Sequence, residues 1–121
     1  MVLDSSRSWF AVTPTVGGRA AVLTFRGVID LATERAAVEA VQDAVSALPP
    51  PDVVVVDLTP VSHFSVKGIY LLRAVADTCA RRGLRLRVVV DPDSITAVAL
   101  RIGGPTDVPI FDTVEAATRA D

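Results

Sequence analysis

The run DVVVVDL, Asp52 to Leu58, sets four consecutive valines between two aspartates. β-Branched residues favour extended chain. A run without polar alternation suits a strand covered on both faces, as in the interior of a parallel sheet. Parallel neighbours are joined by crossover helices, and the segments on either side carry helical period. Upstream, after Gly27, VIDLATERAAVEAVQDAVSAL places Val38, Val41, Val45 and Leu48 at i, i+3, i+7 and i+10, with Ala37 and Ala44 beside them. Glu39, Gln42 and Asp43 take the other side, so an amphipathic helix is expected. Asp30 or Thr33 is placed to cap its first turn, and Pro49-Pro50-Pro51 to end it.

Downstream, VSHFSVKG reads as a polar-tipped loop leading into a second helix from about Gly68 to Arg82. Ile69, Leu72, Val75, Ala76 and Cys79 form its apolar stripe; Tyr70, Arg73 and Asp77 lie on another face. Gly83 stops it, and LRLRVVVD follows as a third parallel-type strand. Ser94 caps a short helix in which Ile95, Val98, Ala99 and Ile102 keep i, i+3, i+4, i+7 spacing. Gly103-Gly104 ends that helix, where a left-handed residue is expected. VPIF is the last strand and DTVEAATRA the last helix, capped by Asp112 or Thr113. At the start, WFAVTPTV, Gly17-Gly18 and AAVLTF read as a hairpin. The order is ββαβαβαβα, an α/β fold with a mixed, mostly parallel sheet and right-handed crossovers.

The chain has 121 residues, half of them hydrophobic and 21 % charged, which suits one ordered domain across 1–121. A net charge of -2, with basic residues gathered only at Arg81-Arg82, Arg85 and Arg87, leaves no footprint for nucleic acid. Cys79 is the sole cysteine, so no internal disulfide or Cys-rich metal site is expected. The start, MVLDSSRSWF, has no basic region followed by an apolar stretch, and no apolar run nears the ~20 residues that span a bilayer. A cytoplasmic protein with no membrane insertion is expected.

Enzyme chemistry finds little support. There is no glycine-rich phosphate cradle and no Walker lysine. His63 is the only histidine, so it cannot make a two-histidine metal site, and as a base beside Ser62 or Ser65 it lacks an orienting partner. Asp57, Asp91 and Asp93 fall at strand ends, where acids can hold Mg²⁺, but Asp91-Pro92-Asp93-Ser94 reads first as a turn and cap. Asp30 reads first as a helix cap, Cys79 as a buried small hydrophobe, and Arg81-Arg82 as cations at a helix C-terminus. No cofactor is expected.

Three stretches in order resemble the STAS family, which includes the anti-sigma factor antagonists. FRGVIDLAT is similar to the family's entry into its first helix. VVVVDLTPVSHFSVKGIYLLRAVADTCARRGLRLRVVV resembles its core with the D-S-S-G loop, and ALRIGGPTDVPIFDTVEAAT its closing segment. The resemblance implies a regulatory module that binds an anti-sigma factor, a serine kinase of the ATP-binding type, and frees a sigma factor. The alternative it admits is a subunit of a transporter-associated or stressosome-type assembly. In the family a serine of the loop takes the phosphate. With Gly68 matched to the motif glycine, Ser65 stands where the aspartate belongs, and Val66 and Lys67 replace the two serines. The switch is therefore expected to be impaired or absent, with Ser65 the candidate phosphoacceptor. The partner surface is expected to comprise Ser65, Val66, Lys67, Tyr70, Arg73 and Asp77, with Asp30 nearby.

Overall fold

The computed structural model describes residues 10–17, 20–29, 34–46, 53–64, 66–104 and 107–119. For residues 10–17, 29, 34, 62, 63, 66 and 67 it describes the backbone alone. In chain order the elements are β1 (Phe10–Gly17), β2 (Ala20–Ile29), α1 (Glu34–Ser46), β3 (Val53–Asp57) and β4 (Val61–Phe64). Then come α2 (Val66–Arg82), β5 (Arg85–Val89), α3 (Ile95–Gly103), β6 (Ile110–Phe111) and α4 (Val114–Arg119). The sheet runs β1-β2-β3-β5-β6. Among the described strands the β1–β2 hairpin is antiparallel, and β2–β3, β2–β4, β3–β5 and β5–β6 are parallel. The hairpin register ends at Gly17↔Ala20.

The valine run occupies the centre of this sheet. Val54, Val55 and Val56 are fully buried. Alternation along the strand divides them: Val54 and Val56 join one core cluster, while Val55 faces a second. The larger cluster lies under α1, α2 and α3, through Ala37, Val41, Val45, Leu72, Val75, Cys79, Ala97 and Leu100. The smaller, on the back of the sheet, joins Val55 and Val89 to Ala117 of α4. Helices thus cover both faces, which explains why the run carries no polar position.

Four differences from the sequence reading have local causes. The loop after β3 contains an added strand: β4 pairs parallel with the far end of β2, as Val28↔His63 and Ile29↔Phe64. To allow it, β2 runs on to Ile29 rather than yielding to helix after Gly27. Second, α2 begins at Val66, two residues before Gly68. Third, the apolar spacing in α3 picks out its outer side, since Ile95 and Ile102 are 81 % and 83 % exposed and Val98 is exposed too. The inner face is Thr96, Ala97 and Leu100. Fourth, Gly104 at the end of α3 is extended, with φ -74°, and its N–H donates to Leu100 O. A Cβ there would lie 2.7 Å from that same carbonyl, so close approach explains the glycine.

Other ends form as expected. Gly83 ends α2 at φ 74°. Leu84 N–H donates to Cys79 O and Gly83 N–H to Ala80 O, the paired bonds of a left-handed helix stop. Ser94 Oγ accepts from Ala97 N–H at the start of α3, and Thr113 Oγ1 from Ala116 N–H at the start of α4. No helix of the described residues is long and apolar enough to cross a membrane. Leu48, Pro49-Pro50-Pro51 and the caps Asp30 and Thr33 lie outside the described residues.

Candidate partner-binding face

The junction between β3 and α2 is built by three local devices. The first is a bend at Asp57, a buried residue. Its Oδ1 accepts from Thr59 N–H at 3.0 Å and from Thr59 Oγ1 at 2.8 Å, so the acid folds the chain back at the strand end. Val61 N–H then donates to Leu58 O, closing the turn. The second device is Gly27. Its φ of 95° admits glycine with little strain, and it sits where the β2–β4 register shifts. There β2 leaves β3, last paired at Thr24↔Asp57, and takes up β4.

The third device is the meeting of Phe64 and Gly68. Both are buried. A Cβ on Gly68 would come within 2.5 Å of the Phe64 ring, so the missing side chain lets the first turn of α2 lie against β4. The motif glycine is a packing requirement. It anchors a helix start whose first two residues are Val66 and Lys67. Ser65 and Asp30 lie outside the described residues.

Along α2, Tyr70, Arg73 and Asp77 share an exposed face as the spacing predicts, with Tyr70 49 % exposed. Arg73 and Asp77 are held by partners within the chain. Arg73 Nη2 donates to Gly103 O at 2.7 Å, tying α2 to the end of α3. Asp77 pairs with Arg81 at 2.7 Å across one helical turn, an exposed pair of about 0.3–0.5 kcal/mol. The face therefore offers one aromatic side chain beside a fixed guanidinium.

The strand-end acids separate. Asp57 is committed to Thr59, and Asp91 Oδ1 accepts from Asp93 N–H in the turn before α3. Among the described residues no three His, Cys, Asp or Glu side chains are grouped to hold a metal ion. Burial pushes the Cys79 thiol up to about 11, against a smaller opposing pull from Arg82, so it is a protonated core group. His63 takes its place in β4 opposite Val28. What the sequence reading missed is the outer side of α3. Its only signal was that this helix is apolar nearly all round, with Ala97 and Leu100 completing the circle.

The sequence matches the STAS domain family over residues 11–117. Among curated proteins none matches it. Among solved structures it is similar to an anti-sigma factor antagonist from Mycobacterium paratuberculosis, at 23 % identity and a TM-score of 0.75 over 93 % of this chain and 97 % of that one. It is also similar to the anti-sigma factor antagonist SpoIIAA in its unphosphorylated form, at 14 % identity and a TM-score of 0.64 over 88 % and 92 % of the two chains. An antisigma-factor antagonist STAS domain from Rhodobacter sphaeroides gives 22 % identity and a TM-score of 0.55, over 69 % of this chain and 88 % of that one. At these identities the likeness is one of fold. The family match spans almost the entire sequence, from within β1 to within α4, and on it the chain belongs to the STAS domain family.

Proposed function

We propose that this chain is a cytoplasmic protein-binding regulator, an anti-sigma factor antagonist whose phosphoswitch is impaired or lost. It binds an anti-sigma factor of the ATP-binding serine kinase type, frees a sigma factor, and acts by binding rather than catalysis. The observation that carries the reading is the start of α2: Gly68 is packed against Phe64, and Val66 and Lys67 open the helix. A helix N-terminus suits a phosphate, which adds close to two negative charges. Neither Val66 nor Lys67 has a hydroxyl to accept one. Lys67 also sets a cation at the positive end of the helix, at a cost of about 0.3–1 kcal/mol that an acidic partner group offsets. Ser65 is the nearest candidate acceptor. Tyr70 is the anchor of the docking face, which it shares with Arg73 and Asp77.

The test has two arms. The tagged chain is used to capture partners from its native cell, followed by mass spectrometry, with Tyr70→Ala as the control. The captured kinase is then incubated with the chain and ATP, and the intact mass measured. The expected result is an ATP-binding anti-sigma kinase retained by the native chain, weakened by Tyr70→Ala, with no phosphate added. Capture of transporter or stressosome components instead favours the scaffold reading, which the missing serines also suit. Stoichiometric phosphate on Ser65 with partner release establishes a working switch and overturns the impaired one.

A further inference from the structure

At the carboxyl ends of β5 and β6 lies an open-sided cavity of about 210 Å³. It is lined by Val90, Pro92, Ala97, Arg101, Ile110 and Asp112. Ligands of open α/β sheets sit outside the strand C-termini, and this is such a place. Its floor is apolar: Val90 and Ala97 are buried there, and Ile110 contributes a half-exposed edge. Two opposite charges stand on its walls. The side chains of Arg101 and Asp112 make neither hydrogen bond nor ion pair among the described residues, and both are exposed.

Several other charged groups of the fold are engaged within the chain. Arg73 holds Gly103 O, Arg81 holds Asp77, Arg82 reaches Ser46 O and Arg87 holds Ala117 O. Asp91 is occupied by Asp93 N–H. Asp112 was a candidate cap for α4, but Thr113 supplies that bond and leaves the Asp112 carboxylate unused.

We propose that this cavity binds a small zwitterion with an apolar body, an aliphatic α-amino acid of valine or leucine size. The volume is below the ~300 Å³ at which pockets for drug-sized ligands begin. A simple carboxylate would satisfy Arg101 and face Asp112 with like charge; a simple amine would do the reverse. A zwitterion places its carboxylate on Arg101, its ammonium on Asp112 and its aliphatic chain over Val90, Ala97 and Ile110. The proposal stands apart from partner docking on α2.

The full chain is titrated with L-leucine, L-valine, isovalerate and isopentylamine while backbone amide shifts are followed by NMR. The expected result is saturable shifts at Val90, Ala97, Arg101, Ile110 and Asp112 with the amino acids. Binding of isovalerate and isopentylamine should be weaker by at least about ten-fold, the loss of one charged hydrogen-bonding group. Arg101→Gln and Asp112→Asn should each weaken leucine binding by a similar factor and leave the thermal midpoint unchanged. Absence of saturable shifts with either amino acid overturns the proposal. So does isovalerate binding as tightly as leucine with no effect of Asp112→Asn. Capture of the regulatory partner is read in a separate assay, so either idea can fail alone.

Discussion

Gly68 shows how a single absent methyl group sets the geometry of the candidate site. With the Phe64 ring 2.5 Å from where a Cβ would stand, an alanine must push either the ring or the first turn of α2 away. Overpacking of this kind costs about 1–3 kcal/mol. Gly68→Ala should therefore lower the urea midpoint. It should cost at least about 1 kcal/mol less in a Phe64→Leu background, because neighbours in contact are not additive. Equal costs in the two backgrounds would show that the ring is not what the glycine accommodates. Cys79 gives a second prediction at this scale. Its thiol is raised from 9.0 to about 11 by burial, so the fold keeps a proton that the unfolded chain loses. The stability this contributes is full below about pH 9 and falls as the pH rises from 9 to 11, by roughly 2–3 kcal/mol. Urea unfolding of the native chain should show that decline, and Cys79→Ala, whatever its own offset, should lack it. Parallel curves for the two proteins across that range would refute the account.

Among the elements, α3 separates what periodicity can say from what it cannot. A helix with apolar residues on nearly every side satisfies more than one phase of the same 3.6-residue pattern, and the neighbours decide which phase turns inward. The structure buries Leu100 and Ala97 and leaves Ile102 exposed. Leu100→Ala should then cost about 2–5 kcal/mol, whereas Ile102→Ala should stay within about 0.5 kcal/mol. Thermal or urea unfolding of the two variants decides the phase, and a reversed ranking would mean that the outer face is the packed one. In α1 and α2 the polar side is populated by residues such as Glu39, Asp43, Arg73 and Asp77, so only one phase was available and the reading held. β4 was illegible for another reason. Four residues that include Ser62 and His63 carry no alternation, and what makes them a strand is the free edge of β2 beyond Thr24↔Asp57. That edge exists only once the sheet has formed. The exposure of Tyr70 and the place of Gly68 early in α2 were legible in the sequence. The tie from Arg73 to Gly103 spans 30 positions in the chain and leaves no pattern in the sequence.

At the scale of the molecule, the sheet is covered unequally. Three helices press on one face, and the back is covered by α4, six residues long. The parallel order was readable because DVVVVDL is apolar throughout, which already implied cover on both sides. Its pairing with the shorter back layer was not, since α4 contributes only Ala117 to full burial there. A nucleus so small needs another fastener, and Arg87 supplies it. This arginine lies on the back of β5, 4 % exposed, and its Nη1 donates to Ala117 O at 2.7 Å. The bond satisfies a carbonyl in the last turn of α4, where helix carbonyls lack partners and a cation is favoured by the dipole. Arg87→Met keeps much of the stem's volume but removes the donor and the charge. Left buried without a partner, the Ala117 carbonyl costs about 1–3 kcal/mol, partly offset because the guanidinium no longer has to be desolvated. The expected net effect is a loss of about 1 kcal/mol, concentrated on the back layer. Hydrogen exchange should quicken at Ala117 N–H, which bonds Thr113 O, while the amides of β3 keep their protection relative to global unfolding. Exchange that rises equally at both places would show Arg87 to be a general core contact, and unchanged exchange at Ala117 would remove its role as the clamp of α4.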